Sequence, residues 1–250
     1  MCSIYVVCHK ETKLNIDSEL RKTIHVGEKI FQCDYYDYDG ENISDKNSTF
    51  CELTAIYWIW KNSKSSIMGL EHYRRFFRNP KISLFNDKMI DGKTIKKIFG
   101  KYDVILPKKH YLKRFNVEED YKYGESLGNH IFNDFLILEN VIKTHFNDYY
   151  NDFCAIKKLN YYYPFNMIIC EKKVFDSFCS FLFPILMLIE SKIDVSSRKG
   201  NTVRAFGYLA ERLMNLWIVH NKKKVKELSV IINDDSSALK KFFRRIKSWL

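Results

Sequence analysis

Residues 3–10 read SIYVVCHK, a run of β-branched and aromatic residues that turns polar at its end, as a strand buried on both faces would. SSIMGLEH, ahead of a basic stretch, YDVILP, stopped by Pro107, and NMIIC share that character, and a weaker strand is expected near Ile30. Between these runs the apolar period lengthens to three and four. From Thr49 onward Leu53, Ile56, Tyr57 and Trp60 follow one helical face, with Thr49 and Glu52 at capping-box spacing, so Glu52 reads equally as a helix-cap acid and as a ligand. NHIFNDFLILENVIKTHF predicts a helix burying Ile131, Phe135, Leu138 and Ile142. EKKVFDSFCSFLFPILMLIESK predicts a long apolar helix with Pro184 set to kink it, and TVRAFGYLAERLMNLWIVHN one that buries Val203, Phe206, Leu209, Leu213 and Leu216. KKHYLKRFNVEEDYKYG and SSRKGN read as loops. Strand and helix alternate without repeats, which predicts one α/β domain over residues 1–221, a mixed central sheet flanked by helices.

The remainder, residues 222–250, has a different pattern. Leu239, Phe242, Phe243, Ile246, Trp249 and Leu250 recur at helical spacing with Lys240, Lys241, Arg244, Arg245 and Lys247 between them, a basic amphipathic helix that Ser236 or Ser237 can cap. Such a helix either packs back on the domain or lies on an anionic membrane through residues 237–250. Nine Lys and Arg against three acids give this segment a net +6 of the chain's +11, so the tail holds most of the excess charge.

That charge favours an anionic partner, and the 16 Tyr and 19 Phe supply rings for a core or for stacking on flat ligands and sugars. Seven cysteines, none in a CxxC pair, read as apolar fillers of a reducing compartment. No segment has the roughly 18 unbroken apolar residues of a membrane span, and MCSIYVVCHK is too short a run for a signal peptide. The expectation is a cytoplasmic protein, peripheral on the inner face of the cytoplasmic membrane if the tail binds lipid. Phosphate-loop, dinucleotide, zincin and α/β-hydrolase motifs are all absent, and no nucleic-acid partner is expected, because no recognition motif accompanies the charge.

In order along the chain, GENISDKNSTFCELTAIYWIWKN, GLEHYRRFF, YDVILPKK, NMIICEKKVFDSFCSFLFPIL and VRAFGYLAERLMNLW form a specific series. From about Ile4 to His220 it resembles a family of bacterial capsular, exopolysaccharide and lipopolysaccharide biosynthesis glycosyltransferases, long catalogued as a domain of unknown function. The resemblance implies a GT-A type fold and transfer of galactose or galactofuranose from a UDP-sugar donor. The implied acceptor is a growing glycan or a lipid-linked oligosaccharide. A non-catalytic, membrane-associated scaffold of an assembly complex is the alternative, since the usual Asp-x-Asp is missing.

Beside that family, GLEHYRRFF offers two ways to hold a diphosphate. Glu71 and His72 are the candidate ligands if Mn2+ or Mg2+ is used, and Arg74 and Arg75 can pair its oxygens directly; no cofactor is the expectation. His9 and Lys10 end the first strand, where open sheets bind ligands. Asn42, Asp45, Lys46 and Asn47 are donor candidates or loop residues, and Arg204, ahead of Arg198 and Lys199, completes the cationic set. An inverting transfer needs a base. Asp134, with His130 four residues before it, is the first candidate and Glu211 the second, while Tyr161, Tyr162 and Tyr163 are candidates for stacking on the acceptor sugar.

Overall fold

The computed structural model describes residues 1–12, 14–80 and 88–233. The amphipathic helix expected over 237–250, with its Ser236 or Ser237 cap, lies outside these residues. β1 (Cys2–Cys8) and β2 (Arg21–His25) are followed by the short β3 (Tyr35–Tyr36), α1 (Asn47–Phe50) and α2 (Leu53–Asn62). Next come β4 (Ile67–His72), β5 (Arg75–Phe77), α3 (Gly92–Ile98), β6 (Val104–Pro107), β7 (His110–Tyr111) and α4 (Val117–Ser126). α5 (Phe132–His145), α6 (Tyr150–Lys157), β8 (Tyr161–Tyr162), β9 (Ile168–Glu171), α7 (Lys172–Glu190), α8 (Ala205–His220), β10 (Val225–Leu228) and β11 (Val230–Ile232) complete the described chain.

The sheet is mixed, as expected, and runs β10-β6-β9-β4-β1-β2-β3, with β5 and β11 paired beyond β4. β1 is parallel to β2 and β4, whereas β9 is antiparallel to β4 and β6. Its strands read as unbroken apolar runs because both faces are covered. Tyr5 and Val7 of β1, Val104 and Leu106 of β6 and Ile168 and Cys170 of β9 pack into the large core with α2, α5, α6, α7 and α8. The alternate residues Ile4, Ile105 and Ile169 meet Ile95 and Ile98 of α3 on the other face.

Several expectations change. The strand near Ile30 is β2, upstream, and Ile30 is exposed. The charged loop after β6 contains α4, whose start is fixed by a capping box between Asn116 and Glu119. The box expected at Thr49 and Glu52 does not form, because the chain breaks at Cys51 (φ 53°) and α2 starts at Leu53 without a side-chain cap. Pro184 sits inside α7, which continues through it as one element. The boundary expected after residue 221 falls inside the fold: β10 pairs with β6 and β11 with β5.

Candidate active site

β1, β2 and β4 run parallel, so their carboxyl ends, at Cys8, His25 and His72, emerge along one edge. From β1 the chain moves outward to β2 and β3 and then returns to β4 on the other side of β1, the switch point at which open sheets leave a crevice. A cleft of about 770 Å³ lies there, and its walls include residues following β1, β4 and β8 and the first turns of α1 and α8.

One wall is cationic. His9, Arg74, Arg75 and Arg204 line the cleft together. Arg74 lies over the Tyr73 ring at 5.0 Å and Arg75 over Phe165 at 4.5 Å; among the described residues neither forms an ion pair with a carboxylate. Arg204 donates through Nε to Cys51 Sγ at 3.4 Å and stands 3.9 Å from Glu52. Burial, then Arg74, Lys10 and Arg204, lowers the His9 pKa, so its imidazole stays neutral beside the guanidiniums.

Next to these cations, with the Phe165 ring under Arg75, lies a turn at residues 164–166. Phe165 (φ 77°) and Asn166 (φ 52°) both occupy the left-handed region, an unfavourable conformation for side chains with a Cβ that surrounding contacts must hold. Three cleft residues do so. Glu211 accepts the Phe165 N–H at 2.6 Å, His72 Nε2 donates to the Phe165 carbonyl at 2.7 Å, and Glu52 accepts from Asn166 Nδ2 at 2.8 Å. The break at Cys51 turns Glu52 from a cap into a cleft acid. Burial raises the Glu211 pKa to about 7 against the lowering effects of Arg212 and the Phe165 N–H, and Glu52 adds to the rise. A carboxylate with a proton affinity near neutrality is suited to taking and returning a proton.

Tyr162 and His130 also line the cleft. Arg212 lies 4.0 Å over the Tyr162 ring, and His130 stacks on Tyr121 at 4.3 Å. Burial, then Arg212, lowers the His130 pKa to about 4. His130 precedes α5 rather than sharing a helical face with Asp134.

Other sequence candidates lie elsewhere. Asp134 is buried in a two-pronged pair with Arg198 at 2.6 and 2.8 Å and lies outside the cleft lining, whereas Glu211, whose second oxygen pairs with Arg212 at 2.9 Å, lines the cleft. Glu71 is fully buried, bound by Arg21 Nε at 2.7 Å and by the Phe77 N–H at 2.8 Å. Its oxygens are spent, so Glu71 and His72 do not fit a metal pair, and among the described residues no three His, Cys, Asp or Glu side chains gather as one. Asn42 folds back on Tyr38 and Gly40, Lys46 pairs with Glu190 at 2.8 Å, and Lys10, Asp45 and Lys199 are not in the lining. Asn47 lines the cleft while bonding Cys51 and Thr54. Tyr163 is buried against Glu227, and Tyr161 lies outside the lining under Lys109. Sequence reasoning missed Tyr208 and Asn129 on the wall; only their nearness to VRAFGYL and to His130 hinted at them.

A family model described as Domain of unknown function (DUF4422) matches residues 3–222. The chain belongs to that family. No curated protein matches it. Among solved structures, the apo structure of WbbM, a bifunctional glycosyltransferase, is similar at 27% identity with a TM-score of 0.83. The likeness covers 94% of this DUF4422 chain and 45% of the WbbM chain, so the protein spans about half the length of that structure. β10 and β11 lie beyond the residues matched by the DUF4422 model yet belong to the same sheet.

Proposed function

We propose that the chain is a nucleotide-sugar-dependent glycosyltransferase of GT-A type. In this reading it moves a hexose, galactose or galactofuranose, from a UDP-sugar to a capsular, exopolysaccharide or lipopolysaccharide glycan or its lipid-linked precursor. The observation that carries the reading is the meeting of two arginines that form no ion pair with a carboxylate among the described residues, Arg74 and Arg75, with a carboxyl whose pKa is raised to about 7, Glu211, in one cleft at a sheet switch point. Similarity to WbbM supports glycosyl transfer as the reaction class.

The chemistry divides between the arginines and Glu211. Arg74, Arg75 and Arg204 take the diphosphate, where fixed guanidiniums balance the charge that grows as the nucleotide leaves. Glu211 takes the proton of the acceptor hydroxyl as the hydroxyl oxygen attacks the anomeric carbon. The bond from that carbon to the diphosphate oxygen breaks, its electron pair leaves with the nucleotide, and the anomeric configuration inverts. Tyr162 offers a ring beside the acceptor. The basic segment 237–250 keeps the enzyme peripheral on the cytoplasmic face of the membrane, where lipid-carried acceptors are presented.

Thermal shift with UDP, UDP-galactose, UDP-galactofuranose, GDP and CDP, each with manganese or EDTA, tests this reading. Uridine nucleotides at a hundred times Kd should raise Tm by roughly 5–10 °C and do so in EDTA. Arg74→Ala or Arg75→Ala should weaken that binding by roughly tenfold to a hundredfold, the loss of one charged hydrogen-bonding partner. Stabilisation that requires manganese would overturn the arginine mechanism. No shift with any nucleotide would return the chain to the scaffold alternative.

A further inference from the structure

The turn at residues 164–166 lies between β8 and β9, and side chains from the head of α2, from β4 and from α8 hold it. Glu52 is the first residue after the break at Cys51 (φ 53°), Asn166 ends the left-handed turn, and the two meet at 2.8 Å. The Asn166 amide also donates to the Gly207 carbonyl of α8 at 3.0 Å, and Asn166 is only 4% exposed. Thus one buried side-chain amide joins the head of α2, the turn and α8. Within that turn, Phe165 presents its N–H to Glu211 and its carbonyl to His72.

We propose that Glu52 is a positioning residue for Glu211: by gripping Asn166 it fixes the left-handed turn whose Phe165 N–H aims the Glu211 carboxylate and whose Phe165 carbonyl sets the tautomer of His72. The inference rests on the reading of Glu211 as the base. Turn geometry makes the dependence strong, because two consecutive residues with positive φ tend to relax to the extended or right-handed region, and without Glu52 only the Gly207 carbonyl still holds the Asn166 amide. Phe165 N–H then leaves Glu211, and His72 loses the acceptor that keeps its proton on Nε2.

Glu52 also acts through charge. The groups facing Glu211 are Arg212, Arg204 and Tyr208 of α8 and its leading turn, Arg75 of β5, Tyr162 of β8, the Phe165 N–H and Glu52. Among them Glu52 is the like charge, so its removal shifts Glu211 titration to lower pH.

The test uses the full chain labelled with [15N]Phe and with 13C at the Glu side-chain carboxyl, without donor or acceptor, in wild type, Glu52→Gln, Glu52→Ala and Asn166→Ala. In wild type the Phe165 amide should resonate well downfield and move with the Glu211 carboxyl at a midpoint near pH 7. Glu52→Gln keeps an acceptor for Asn166, so the amide should stay downfield while the Glu211 midpoint falls. Glu52→Ala and Asn166→Ala should both return the amide to the ordinary range. In turnover of UDP-galactose these two should lower kcat by roughly tenfold to a hundredfold with little change in donor KM, and Glu52→Gln should recover most of the loss. A Phe165 amide unmoved in both alanine variants would overturn the proposal; if Glu52→Ala does not fold, Asn166→Ala decides alone. Because the spectra need no substrate, failed nucleotide binding would sink the transferase reading and leave the Glu52 result standing.

Discussion

Glu211 is pulled two ways: burial favours its neutral form, while Arg212 and the Phe165 N–H favour its anion. Since the balance is near pH 7, transfer should rise with pH through that value, and Glu211→Gln should lower it by about 10²–10⁴ while leaving the uridine nucleotide thermal shift in place. The same residue costs stability. Its folded pKa, about 7, exceeds the 4.5 of an ordinary glutamate, so its contribution is complete below about pH 4.5 and lost as pH rises through 7. Urea titrations should show the advantage of wild type over Glu211→Gln shrinking by up to about 3 kcal/mol between pH 5 and 8. A difference independent of pH would show that burial does not raise this carboxyl. None of this is legible at Glu211 itself in the sequence: its pair with the adjacent Arg212 forms at 2.9 Å, but the Phe165 N–H that meets its other oxygen comes from 46 residues away. Asp134 misled in the opposite way: its partner Arg198 is 64 residues distant, and no spacing rule reports such a contact.

Elements buried on both faces were the readable ones. β1, β4, β6, β9, α7 and α8 follow apolar runs or helical periods that burial enforces, and Phe206, Leu209, Leu213 and Leu216 are all buried as their spacing predicts. What escaped depends on particular backbone events. α1 and α2 read as one helix because a non-glycine residue with positive φ, Cys51, leaves no mark in periodicity. α4 was overlooked because its charged residues masked the Asn116–Glu119 capping signal. The motif GLEHYRRFF carries one element-scale constraint in Gly69. A Cβ there would lie 2.5 Å from the Ile168 carbonyl oxygen and 2.9 Å from Ile169 Cα, forcing β4 and β9 apart. Gly69→Ala should cost about 1–3 kcal/mol and lower Tm by roughly 4–10 °C. Gly100→Ala, whose nearest neighbour is 3.6 Å away, should leave the melting curve almost unchanged.

At the scale of the whole molecule, the chain's +11 charge is concentrated toward its end, and the described part of that end is woven into the sheet. Removal of residues 237–250 should release the protein from anionic vesicles in a flotation assay and spare the nucleotide thermal shift. Truncation after residue 221 should instead abolish the shift, because it strips β10 from β6 and β11 from β5. The junction between these regions has a consequence of its own. β11 is laced to β5, and the Asn233 N–H donates to the Arg74 carbonyl at 2.9 Å. Any surface that grips the chain beyond Asn233 therefore pulls on the protein at a point fixed beside Arg74 and Arg75. In the proposed transferase, attachment at that point would keep the arginine end of the cleft close to the plane in which a lipid-carried acceptor diffuses. A long Gly-Ser insert after Asn233 should undo that closeness, slowing transfer to vesicle-borne acceptors while leaving vesicle attachment and transfer to free acceptors unchanged.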